Sequence, residues 1–390
     1  MRVNLERRLF ADANARVLGV VRVGIGVAAL MELVASAGRI LAIAAPGTLR
    51  MPIFGPAGDL FVNAAPMVLA LWLIAGIAFT VGFLTPIAGI ALAAVMFGLV
   101  TADAQLYSNH SYLIAISVVL LTAGSAGTAL SIDARRRGTD ADPVPAWSVQ
   151  VLRIQVTITY LFAVAAKLNP SFLSGSVVAA SLRRDGIGFP EVWINFETMF
   201  VLSMIVIASE FFLGIALWRR RWRPAAFVIG LMLHVGIVVT MHSAWDLAIF
   251  SIVTLSLYVS FLNAPRGGHA VIWDDACGFC GTWVRWFRRL DWLDTLRFIP
   301  RSGLVASGLP VSEEAALEAL HVVGPRRITR GFRAVTDVLS VVPLAFLWAP
   351  LLRVPPVAEA GERAYKRVAQ SRTCPTALAP IRDRAVPRSA

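Results

Sequence analysis

Eight apolar runs of about 20 residues, separated by short polar or basic stretches, constrain this chain more than any other feature. They cover 17–36, 66–84, 86–103, 110–130, 147–168, 198–218, 224–241 and 244–263. A helix rises 1.5 Å per residue, so about 20 apolar residues cross the roughly 30 Å of hydrocarbon in a bilayer. Backbone polar groups in lipid must be satisfied within the segment, which favours helices. The expected fold class is therefore an all-α polytopic membrane bundle of about eight transmembrane helices. Composition agrees: 57% of the 390 residues are hydrophobic and only 15% are charged, against about a quarter charged in soluble domains. In a soluble chain the net charge of +12 would suggest nucleic acid. Here the basic residues form short clusters between apolar runs, as membrane orientation requires, and no nucleic-acid partner is expected.

Arg2, Arg7, Arg8 and Arg16 precede the first run, and no small-residue cleavage site follows it closely, so the first helix is expected to be retained. With the N-terminus in the cytoplasm, Arg135–Arg136–Arg137 and Arg219–Arg220–Arg221 with Arg223 both fall inside; inverting the chain puts both outside. Arg39, Arg50, Arg183 and Arg184 are dispersed exceptions. An even number of spans returns the chain to the cytoplasm. The expectation is a multi-pass protein of a bacterial inner membrane with both termini cytoplasmic and membrane lipid as its first partner.

A Gly/Pro-containing linker at 263–269 marks a boundary between residues 1–264 and 265–390. Beyond it, strand-like Ala270–Asp275, a helix from Cys277 to Leu290, a strand at Leu296–Ile299, a helix at Ser312–Leu320 and a strand at His321–Val323 predict a small α/β domain. Val335–Leu352 is apolar enough to imitate a ninth span, but Pro343, Pro350 and Asp337 argue for a helix lying on the domain or on the membrane surface.

Cys277 and Cys280 form a Cys-x-x-Cys motif between a strand and a helix. A cysteine at a helix N-terminus meets unpaired N–H groups that favour thiolate, and a second cysteine one turn on can resolve a mixed disulfide. Half of a zinc site is the alternative, and it lacks ligands, because the third cysteine is Cys374 and His269 and His321 lack ligand spacing. No metal is expected; inert thiols remain the bland reading. Asp274, Cys277 and Cys280, the run Tyr365–Arg372 and the trailing Cys374 resemble the DCC family over about 265–380. That resemblance implies a thioredoxin-like fold, thiol–disulfide exchange at Cys277 and Cys280 beside Asp274, and a thiol-containing protein partner. Asp275 stands where the family usually has glycine.

Ionisable groups within spans are costly and mark candidate sites. Lys167 and His110 are placed near the outer ends of helices five and four. Glu210 and His234 are placed near the midplane of helices six and seven. Together the four are expected to line one outward-opening cavity. Each has a bland counterpart: a snorkelling lysine, an interfacial histidine, and a structural Glu210–His234 pair. Arg22, Glu32 and Arg153 are read as structural.

Asn109–Leu113, Ser131–Ala134, Tyr160–Leu168, Glu210–Gly214 and Leu233–Met241 occur in the order and spacing that resemble the HTTM domain, the membrane domain of vitamin K-dependent γ-glutamyl carboxylases. The resemblance implies that Lys167 is a base toward a reduced quinone or vitamin K-like hydroquinone, with His110 in the same site. The large extramembrane region of the carboxylases is not matched, so glutamate carboxylation is not carried over. The expected function is a membrane enzyme acting on a quinone-like or other lipophilic small molecule, with a cytoplasmic thiol domain. The alternative is a non-catalytic scaffold or carrier that anchors a thiol–disulfide oxidoreductase.

Overall fold

The computed structural model describes residues 6, 7, 9–140, 142–185, 190–240, 244–262 and 264–371. The chain divides into two compact units, Met1–Pro265 and Arg266–Ala390.

The first unit is helical apart from one short antiparallel pair, β1 (Asp12–Ala13) with β2 (Val144–Pro145). Its main helices are α1 (Ala15–Ala44), α2 (Ala65–Val81), α3 (Thr85–Ala102), α4 (Asn109–Ala123), α5 (Ala146–Lys167), α6 (Phe196–Ala216), α7 (Arg223–Thr240) and α8 (Ala244–Tyr258). Five segments are long and apolar enough to cross a membrane: Ala15–Ala44, Thr85–Ala102, Ala146–Lys167, Phe196–Ala216 and Trp245–Leu262. Ala65–Val81, Asn109–Ala123 and Arg223–Val239 are apolar but shorter. Large apolar side chains such as Ile74, Ile87, Ile90, Phe162 and Met232 are exposed, a surface suited to lipid and not to water.

Helix starts are set by polar caps. Asn14 accepts from the Arg16 N–H, Ser108 from Ser111, and Asn195 from Thr198, each satisfying an orphan amide of a first turn. The expected run 110–130 stops at Ala123. Residues beyond it turn instead, and the buried Arg22 guanidinium donates to the carbonyls of Ala126 and Leu130 at 2.9 and 2.6 Å. Arg153 likewise donates to the Ser260 carbonyl at 2.8 and 2.9 Å. Both arginines thus hold freed backbone.

Contacts gather four segments at one end of the bundle. Asn14 donates to the Ala264 carbonyl (3.3 Å), Arg16 pairs with Asp140 (2.7 Å), and the Ala146 amide donates to Ala11 (2.8 Å). Trp218 and Arg223, in the turn between α6 and α7, both lie against Phe261. The start of α1, the 138–145 loop, the α6–α7 turn and the end of the last helical segment therefore share that end. Both arginine triplets stand there.

The second unit is a four-stranded sheet in the order β4–β3–β5–β6, built from β3 (His269–Trp273), β4 (Leu296–Pro300), β5 (His321–Val323) and β6 (Ile328–Arg330). β3 and β4 run parallel across helix α9 (Gly278–Leu290), and the other pairings are antiparallel. The short strand β6 was not foreseen. Val271, Phe287, Leu296, Val322, Ala334, Val338 and Val342 form its core. Val335–Leu352 is accordingly broken into short helices, Phe332–Leu339, Ala345–Leu347 and Ala349–Leu352, with Asp337 paired to Arg327 and Arg353. It packs within the domain instead of forming one surface helix.

Candidate functional site

Helix α5 ends at Lys167 because Asn169 holds both sides of the break. Its amide donates to the Ala166 carbonyl (2.8 Å), and its Oδ1 caps the Pro170–Leu173 turn by accepting from Phe172 (3.0 Å). From that end Lys167 Nζ donates to Glu210 Oε1 at 2.8 Å, and Phe172 lies 5.7 Å from the ammonium. Among the described residues, none makes a hydrogen bond to the buried Glu210 Oε2.

This pairing joins the end of α5 to a residue well inside α6. Glu210 lies fourteen residues past Phe196, or about 21 Å along α6 at 1.5 Å per residue. The short helices Pro170–Leu173 and Ser176–Asp185 pack on α6, with Leu182, Ile194 and Met199 forming their own core. Lys167 is thus turned toward α6, where it pairs with Glu210.

A second layer lies one turn on. Gly214, four residues after Glu210, is the point where Tyr160 and Leu161 approach α6, and no larger side chain intervenes. The Tyr160 hydroxyl meets His234 Nε2 at 3.0 Å and also shares a short hydrogen bond with the Tyr258 hydroxyl. Tyr160, His234 and Tyr258 are all buried, and His234 Nδ1 has no hydrogen-bond partner. Along α5 this layer separates Lys167 from Thr157 and Arg153, which belong to the arginine-rich end.

His110 stands apart from these residues in its bonding. Its Nε2 lies 2.9 Å from Glu32 Oε2, while Ser111 donates to Glu32 Oε1 at 2.7 Å. Glu32, read from sequence as structural, is therefore the partner of a candidate site residue. The four expected residues are bonded as three separate contacts: His110 with Glu32, Lys167 with Glu210, and His234 with Tyr160. Glu210 and His234 do not pair with each other.

In the second unit Cys277 is the N-cap of α9 and almost fully buried, and Cys280 lies one turn further along the helix. Cys374 and Arg372 lie outside the described residues. Asp274 is buried and accepts from Arg301 Nε and from the Ala276 amide, both at 3.3 Å. Asp275 accepts from the Ser302 hydroxyl (2.6 Å) and amide (3.2 Å). Burial opposes ionisation of Asp275, but these hydrogen bonds and the nearby Arg301 charge outweigh it and hold the carboxyl below its usual range. The residue that departs from the usual glycine thus ties the motif loop to the turn after β4. Cys280 also lines an apolar cavity of about 280 Å³ with Trp273, Trp283, Phe332 and Tyr365.

Tyr160 was legible only as part of a resembling segment, and Tyr258 not at all, because nothing in an apolar run shows which helix a hydroxyl will face. Neither a curated protein nor a solved structure matches the chain. The family description DCC1-like thiol-disulfide oxidoreductase matches residues 271–374, and the description HTTM domain matches residues 10–264. With most of its length and all of its bundle helices inside that second match, the chain belongs to the HTTM domain family, as a membrane protein fused to a DCC1-like thiol-disulfide oxidoreductase domain.

Proposed function

We propose that the bundle is a membrane enzyme in which Lys167 removes a proton from a weakly acidic, lipophilic substrate of the hydroquinone class. The observation that carries this reading is the 2.8 Å Lys167–Glu210 contact, held at a helix break among apolar helices. An ammonium cannot accept a proton, so the working base is the neutral amine. It forms when Nζ passes a proton to Oε1 across the existing hydrogen bond. Two charges in a desolvated site cost enough that the neutral pair is within reach. The amine then takes the substrate proton, and the buried Glu210 Oε2, to which none of the described residues makes a hydrogen bond, is an acceptor for a substrate hydroxyl. A bound hydroquinone supplies the acidic hydroxyl. The tyrosine layer closes the site toward the arginine-rich end. In this reading eight helices span a bacterial inner membrane and both termini are cytoplasmic.

Lys167→Arg keeps charge and length but leaves a guanidinium that stays protonated. A monodisperse Lys167→Arg protein is expected to lose activity by at least about a hundredfold, the upper part of what one general base contributes. Activity is scored by conversion of lipophilic molecules identified by mass spectrometry in the purified protein, or by rescue of a deletion phenotype. The second reading, an anchor for a thiol oxidoreductase, is favoured by the placement of Cys277 at a helix start within its own compact unit. It predicts full activity in Lys167→Arg and loss in Cys277→Ser.

A further inference from the structure

Helix α9 carries two apolar faces. One, with Val284 and Phe287, is buried in its own unit. The other consists of Phe279, Trp283, Trp286 and Leu290, spaced four, three and four residues apart, which places them in one stripe. These side chains are exposed, from 36% at Leu290 to 55% at Trp286, and they line an open groove of about 610 Å³. Arg285 and Arg289 flank one side of the stripe and are exposed, Arg285 donating to Thr282 at 2.8 Å, whereas Arg288 lies on the opposite side of the helix over the Phe298 ring. Among the described residues, none of these three guanidiniums lies within ion-pair distance of a carboxylate.

We infer that this stripe docks on the lipid surface, inserting its tryptophans at the boundary between headgroups and acyl chains while the arginines hold anionic headgroups. Two observations select lipid over a protein surface. Tryptophan over an arginine flank is the residue pairing that partitions into an anionic interface. The last helical segment of the bundle ends at Leu262 and β3 begins at His269, so the intervening chain reaches at most about 25 Å. A bilayer that holds the bundle is consequently always within range, at a high effective concentration that no diffusing partner has.

The test uses the full chain in nanodiscs. A Trp286→Cys, Cys280→Ser protein is labelled with the environment-sensitive fluorophore NBD, and peptide mass confirms the labelled site. Glu314→Cys, on exposed surface of the same unit, serves as the control. In nanodiscs containing phosphatidylglycerol, lipids brominated on the acyl chain should quench label 286 at least about twofold more than label 314, as interfacial insertion requires. The difference should shrink in phosphatidylcholine alone and at high salt, because headgroup attraction is screened. Arg285→Glu with Arg289→Glu should remove it, and a Trp283→Cys label should repeat the pattern of 286. Equal quenching at 286 and 314 overturns the inference. So does a label at 286 shielded from both bromolipid and aqueous iodide, since a protein surface then covers the stripe. Quenching indifferent to lipid charge and to the arginine replacements also overturns it.

Discussion

Glu210 decides how Lys167 can work. In the proposed reaction the intact pair yields the amine by proton transfer across the 2.8 Å hydrogen bond, with no exchange with water. The wild-type rate should therefore change little across neutral pH. In Glu210→Gln the internal acceptor is gone and the ammonium must lose its proton to solvent. Its rate is expected to climb by about tenfold per pH unit until the amine is free. Parallel pH profiles for the two proteins would remove Glu210 from the base. At this scale the sequence showed the charged members, Lys167, His110, Glu210 and His234, because charge in an apolar run stands out. It did not show their pairing. Partner choice depends on helix rotation, and a helix apolar on all sides has no polar face from which rotation can be read. Glu32 was set aside as structural for that reason, and the hydroxyls of Tyr160 and Tyr258 went unnoticed.

Between elements, small residues govern how closely helices meet. Gly230 on α7 lies where the Tyr258 hydroxyl of α8 comes against the helix, and a Cβ there would collide with the ring and its hydroxyl. His234 sits one turn further along α7, so the same close approach brings α7, α8 and α5 to a shared hydrogen-bonded cluster. Gly230→Ala is expected to destabilise the bundle by about 1–3 kcal/mol, the usual cost of overpacking. Thermal unfolding in detergent reads this, and a Tyr258→Phe, Gly230→Ala protein should recover part of the loss, because the hydroxyl is the nearest obstruction. Helix existence was legible from apolar length, whereas helix ends were not. The run to residue 130 looked continuous, yet it stops at Ala123 because Arg22, a hundred residues earlier in the chain, receives the carbonyls that turn away. In the thiol unit the strand–helix–strand order and the helix-start cysteine followed from local pattern, while the three-residue β6 was too short to leave one.

Across the whole molecule, the arginine triplets and the chain ends of the bundle gather on one side through contacts among the start of α1, the α6–α7 turn and Phe261. In intact cells, a cysteine placed at Arg136 should resist a membrane-impermeant maleimide added from outside and react once the membrane is opened. Labelling from outside would invert the orientation. Helix α8 also has a consequence for biosynthesis. It packs on α1, α4, α5 and α7, with its Ser256 against Gly24 of the first helix, and it brings Tyr258 to Tyr160. A nascent chain emerging from the ribosome therefore carries Lys167 and Glu210 long before the hydroxyl layer beside them exists. Until α8 enters, the first helix has an open flank where α8 will pack. Chains truncated before residue 244 leave that flank uncovered and are expected to be degraded faster than the full chain, which pulse-chase of the two would read.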